Sequence, residues 1–164
     1  MMESEPIWEK LVMALANEKF ICLVPQSGYR IAMAEPTATE RLLVPDTPDS
    51  VLGEAIQGAI AESRFLNLEE AKALRSTVDS RYAEWVRSLM DRYGYRTKQA
   101  LFKKMKSCSI VVSGDEFVLS PSHHDKLDSW SRSKGDGIED VIIPSGSSMV
   151  DVGAALRLAL SRCT

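Results

Sequence analysis

Residues 41–64, RLLVPDTPDSVLGEAIQGAIAESR, and residues 141–163, VIIPSGSSMVDVGAALRLALSRC, decide the fold. Each reads as a short apolar strand stopped by proline, then a turn, then a helix; in the first, Asp49 or Ser50 opens that helix. Gly53 follows Pro45 by eight positions, and Gly153 follows Pro144 by nine. Beyond the glycines the helices match in order: Ala55 with Ala155, Ile56 with Leu156, Ala59 with Ala159, Ile60 with Leu160. Small residues along such a face let a helix lie close against a sheet. Internal duplication is the alternative that a single sequence leaves open.

Upstream, residues 6–17 (PIWEKLVMALAN) place Ile7, Leu11, Ala14 and Leu15 on one helical face, with Pro6 suited to the first turn. KFICLVP and YRIAMAE flank QSG and predict a hairpin. The middle, 68–106, has helical character: LEEAKALR, then DSRYAEWVRSLMDRYG, then TKQALFKKMK. Tyr82, Trp85, Val86, Leu89, Met90 and Tyr93 form an apolar stripe at three- and four-residue spacing, which reads as core. Gly94 ends that helix and Thr97 caps the next.

SCSIVVSGDEFVLSP predicts two strands joined at Gly114. In SHHDKLDSW, Ser122 and Asp125 have capping-box spacing and predict a helical turn, with Leu127 and Trp130 packing inward. Residues 131–140, SRSKGDGIED, read as a mobile loop. The expected fold is α+β, one domain over residues 1–164, with a mixed or antiparallel sheet of about six strands and several covering helices.

The 164 residues have 45% hydrophobic content, enough for one good core. The acidic start lacks the basic flank and apolar run of a targeting segment, and no apolar stretch approaches the length of a membrane span, so a cytoplasmic location is expected. Cys22, Cys108 and Cys163 are odd in number and widely spaced, which fits reduced thiols and no metal site. No glycine-rich phosphate loop joins a strand to a helix, and no cofactor is expected. The net charge of -3 divides unevenly: residues 1–70 carry 5 basic and 12 acidic side chains, residues 71–164 carry 15 and 11. The acidic first half either presents a negative field to a basic protein partner or is solvated surface.

His123 and His124 are the only histidines. As neighbours they point about 100° apart in a helix, and to opposite faces in a strand, so they do not converge on one reacting atom. An RNA-processing or hydrolytic enzyme using them is one alternative function. A nucleic-acid regulator using Arg96, Lys98, Lys103, Lys104 and Lys106 is another, although these charges also suit a solvated helix end. No serine lies in a nucleophile-elbow pattern. On the residues alone the reading stops at an α+β domain with no visible catalytic site, and no enzyme is expected.

Four phrases add to this reading: LGEAIQGAIAESR (52–64), YGYRTKQALFKKMKSCSI (93–110), LSPSHHDKLDSW (119–130) and VGAALRLALSRC (152–163). They resemble signature segments of the CdiI family of contact-dependent growth inhibition immunity proteins, most specifically in LFKKMKSC and SPSHHDKLDSW. The resemblance implies a cytoplasmic protein that binds the C-terminal toxin domain of a surface exoprotein, one to one, and occludes its active site. Toxins in such systems are frequently nucleases, whose phosphate-binding sites are cationic. The acidic candidates for that contact are Glu35, Glu40, Asp46, Asp49 and Glu62, with Asp136, Glu139 and Asp140 from the loop.

Overall fold

The computed structural model describes residues 8–164. Seven strands form one sheet: β1 (Leu11–Ala16), β2 (Ile21–Gly28), β3 (Ala32–Ala34), β4 (Leu42–Leu43), β5 (Lys106–Ser113), β6 (Glu116–Pro121) and β9 (Val141–Pro144). A separate two-stranded ribbon joins β7 (His123–Lys126) and β8 (Ser129–Ser131). The helices are α1 (Asp49–Glu62), α2 (Leu68–Arg75), α3 (Val78–Tyr93), α4 (Lys98–Phe102) and α5 (Met149–Ser161). The α+β class expected from the sequence is the one observed, with every strand pair in the main sheet antiparallel.

The two strand-helix units at 41–64 and 141–163 belong to a larger repetition. In the order β1–β2–β4–α1, a hairpin is followed by a short strand that pairs with the hairpin's second strand, and then by a helix. β5–β6–β9–α5 repeats that order. β1 and β5 pair antiparallel at the seam, from Leu11 opposite Val111 to Ala16 opposite Lys106, so the two halves spread outward from it with approximate twofold symmetry. Gly53 and Gly153 are where the helices cross: a Cβ on Gly53 would lie 1.8 Å from the Met149 carbonyl oxygen, and one on Gly153 would lie 2.0 Å from that of Asp49. The small-residue face thus serves helix-to-helix approach at its glycines. Its larger members, Leu52, Ile56, Val152 and Leu156, are fully buried in the core with Val12, Ile110 and Leu119. Each contributes about 1.5–3 kcal/mol by leaving water.

Two expectations are corrected. Residues 11–16, within the predicted helix 6–17, are strand β1, where Val12, Ala14 and Ala16 alternate with less buried neighbours. Leucine, methionine and alanine favour helix locally, but pairing on both sides, to β2 and β5, overrides that preference. Pro6 and Ile7 lie outside the described residues. The predicted helical turn at 122–130 is the β7–β8 ribbon, with His124 opposite Trp130. Its Leu127 is exposed, whereas Trp130 does pack inward.

A smaller difference concerns β2, which runs on through Pro25 to Gly28. Proline lacks an N–H, so it can sit in this strand only where no partner requires one. Its carbonyl accepts from Glu35 N at 2.8 Å, and between β3 and β4 the partner chain leaves the sheet as a loop.

Candidate functional site

Segments without a counterpart in the other half make up the rest of the chain. These are the β3 segment and loop 29–41, the helices α2–α4 between the halves, and the β7–β8 ribbon with its following loop. Parts of all three meet on the sheet face turned away from α1 and α5. There they enclose a groove of about 560 Å³.

Alternation along the strands supplies the floor. With Val12 and Ala14 directed toward α1 and α5, the intervening Met13 and Leu15 point the other way, joined by Cys22 and Val24 from β2. α3 covers the groove through Arg81, Tyr82 and Trp85 and is bonded to the segment 32–42, which walls the β3 side; Trp130, held at Met105 just before β5, lines the side farthest from β3 in strand order. The apolar stripe on α3 is divided between two tasks. Val86 and Leu89 are buried with Phe20, Leu101 and Phe102, while Tyr82, Trp85 and one side of Leu89 line the groove.

Ion pairs fix the 32–42 wall. Glu35 is buried and pairs with Arg64; it also accepts from Thr37 N and Oγ1, both at 2.8 Å, and from Ser27 Oγ at 3.2 Å. Burial pushes its carboxyl upward, but the Arg64 and Thr37 hydrogen bonds outweigh this and hold it below the ordinary range. Glu62 receives two bonds from Arg41, each 3.0 Å, and one from Thr39 N at 2.9 Å. The Arg41 guanidinium lowers its pKa to about 2, against an opposing effect of burial and with further help from Thr39. Arg92 Nη1 reaches Glu40 at 2.7 Å, and Arg81 Nη1 donates to the Ala34 carbonyl at 3.1 Å.

The eight acidic candidates therefore fall into three places. Glu35, Glu40 and Glu62 brace the groove wall. Asp49 pairs with Arg157 at 2.7 Å in the helix layer, where Arg157 also donates to the carbonyls of Pro45 and Thr47; Asp46 is exposed on the same turn. Asp136 and Asp140 hold Arg132 at 2.9 and 2.8 Å, leaving Glu139 exposed beside them. The loop 131–140 is thus tied down, with Arg132 also bonding the carbonyls of Ile138 and Pro121. Among the described residues, Asp46 and Glu139 are the two candidates whose side chains enter no ion pair or hydrogen bond.

The histidines diverge, as their place in a strand requires. His123 Nδ1 lies 2.8 Å from Thr164 Oγ1, whereas His124 stacks on Trp130 and places Nε2 2.7 Å from the Leu127 carbonyl. In the basic segment, Lys98 pairs with Asp128 at 3.0 Å, while Arg96, Lys103, Lys104 and Lys106 are exposed. No helix among the described residues is long and apolar enough to cross a membrane.

Met13, Val24, Tyr82, Trp85 and Trp130 were not legible as one surface because they come from four separate elements. The usable signals were local: an aromatic stripe on a helix, and a proline inside an apolar strand.

The family model for the CDI immunity protein matches residues 10–163 of this chain. Immunity protein CdiI-YPIII of Yersinia pseudotuberculosis serotype O:3 is 41% identical over 165 aligned positions, covering 90% of this chain and 91% of that protein. A chain of a CdiA-CT/CdiI toxin and immunity complex from Yersinia pseudotuberculosis superposes with a TM-score of 0.87 at 36% identity, covering 96% of this chain and 99% of that one. A Neisseria meningitidis protein of unknown function gives the same TM-score at 31% identity, with coverage of 100% and 99%.

Proposed function

The chain belongs to the CDI immunity protein family, and we propose that it protects its cell by binding the toxin domain of a cognate contact-dependent growth inhibition exoprotein. The observation that carries the location of binding is the convergence of the three non-repeated segments on one sheet face. The repeated halves supply a rigid floor, and the segments peculiar to each half build the groove upon it. A preformed concave surface with an apolar floor and a few polar rim groups suits tight protein recognition, because little ordering remains to be done on association.

In this reading the protein acts as a single domain in the cytoplasm, engages one toxin domain per chain, and catalyses nothing. The toxin is a nuclease whose active site is covered in the complex. A cationic phosphate-binding surface on the toxin would meet carboxylates here, which favours rapid encounter. Of the acidic residues considered, Glu40 charges the groove rim while Glu35 and Glu62 hold that wall in shape; Asp46 and Glu139, outside the groove, have free side chains that steer encounter at longer range, and Asp49, Asp136 and Asp140 are held by Arg157 and Arg132.

The test is titration calorimetry with the purified cognate toxin domain. Val24→Arg places a charge on the groove floor and should weaken binding by at least about a hundredfold. Asp46→Lys with Glu139→Lys should slow association by about tenfold and flatten its salt dependence. Folded Val24→Arg protein that binds like the parent would overturn the groove as the toxin site.

A further inference from the structure

One boundary of the groove belongs to neither the sheet nor a helix. The β7–β8 ribbon forms no ladder with the main sheet, and most of its side chains are exposed. Its root is held by backbone bonds to Thr164, from His124 N to Thr164 O at 2.9 Å and from Thr164 N to Ser122 O at 3.1 Å. Its tip is held by Asp128, whose Oδ2 accepts from Tyr82 OH at 2.5 Å and lies 3.0 Å from Lys98 Nζ. Between root and tip, Trp130 points inward. Its Nε1 donates to the Met105 carbonyl at 3.1 Å, and its ring meets Phe102 at 6.2 Å on one side and stacks on His124 at 4.9 Å on the other.

Trp130 and Tyr82 both line the groove, whereas Asp128 and Lys98 do not. Asp128 therefore connects α3, α4 and the ribbon tip from outside the groove. Burial, reinforced by the Asp128 carboxylate, pushes the Tyr82 phenol up to about 12, so it stays protonated and donates throughout the neutral range.

We propose that the β7–β8 ribbon is the specificity gate of the groove: Trp130 sets where an inserted toxin segment must stop, and the Tyr82–Asp128–Lys98 latch fixes the position of Trp130. The proposal rests on the groove being the toxin site. A bulky aromatic ring at the end of a cleft discriminates by excluding a segment with one large side chain too many, a form of selection that adds little to cognate affinity. The latch is a partly exposed pair whose loss has little effect on global stability, so the gate can be loosened while the protein stays folded.

The test uses the full chain, its cognate toxin domain, and a toxin domain whose own immunity protein is a relative of this chain. Asp128→Asn and Lys98→Gln should speed amide exchange in residues 123–131 by about tenfold, at unchanged protection of β1 and β5. Both should narrow the cognate-to-noncognate affinity ratio by about tenfold, as should Trp130→Ala. If Trp130→Ala does not fold, the two latch variants decide. An unchanged ratio in folded Asp128→Asn, with Val24→Arg still abolishing cognate binding, overturns the gate and leaves the groove standing. If Val24→Arg has no effect either, both readings fall together.

Discussion

Gly53 and Gly153 occupy equivalent positions in α1 and α5, and each faces a carbonyl in the first turn of the other's helix, Gly53 that of Met149 and Gly153 that of Asp49. A methyl group at either site would force backbone against backbone, which no side-chain rotation relieves. Gly53→Ala and Gly153→Ala should each destabilise the fold by about 1–3 kcal/mol, lowering Tm by about 2–4 °C per kcal/mol. Gly146, with open space where a Cβ would lie, is the control and should tolerate alanine. Thermal and urea denaturation of the three variants would check this.

Acid should weaken the groove wall before it unfolds the core. Glu62 has its pKa lowered from 4.5 to about 2 in the folded protein, so its pairing with Arg41 contributes fully above about pH 4.5 and is lost as pH falls toward 2. Allowing for solvent screening of this part-exposed pair, the contribution is about 1 kcal/mol. Glu62→Gln should therefore cost about that much at pH 6 and almost nothing near pH 2, as read from urea midpoints at the two values.

Thiol chemistry should separate the three cysteines. Burial pushes Cys22 up to about 12 and raises Cys108 as well; Cys108 lies beneath α1 and α5, Cys22 is almost fully buried in the groove floor, and Cys163 is partly exposed. A disulfide reagent at pH 8 should label Cys163 alone in the native protein, and all three after unfolding. Mass spectrometry of peptides from native protein carrying label on Cys22 would contradict the packing described for β2.

Arg132 fastens the loop before β9 to both its own carboxylates and the end of β6. Arg132→Ala should raise amide exchange across residues 133–140 with little change in global stability, since the pairs are solvated. Protection of β5 and β6 should not change. Spread of the effect into those strands would mean that the loop is a more integral part of the sheet than its contacts indicate.

The strand-helix units were readable because proline stops, glycines and small-residue spacing are local signals that act within each unit. Gly94, with φ of 73°, and Thr97, whose side chain accepts from Ala100 N at 3.0 Å, were readable for the same reason. β1 was not: LVMALA is helical by local preference, and only its two partner strands decide otherwise. The capping-box spacing of Ser122 and Asp125 misled in a comparable way, since Ser122 spends its hydroxyl on the Ser107 carbonyl at 2.6 Å. The helices' close approach was visible in the small residues, but its direction was not, because helix against sheet and helix against helix require the same composition. The acidic candidates were identified by charge and loop location, and neither reveals whether a carboxylate faces solvent or, like Glu35, an arginine of its own chain.

The seam between β1 and β5 joins residues such as Leu11 and Val111 that lie far apart along the chain. A ribosome must therefore release most of the polypeptide before the sheet can close, and α5 must emerge before α1 finds the helix it crosses. Closure of contacts at this sequence separation is a slow step in folding. Sheet assembly is therefore a property of the whole chain: a fragment that ends before β5 has no partner for the second edge of β1 and leaves that edge open.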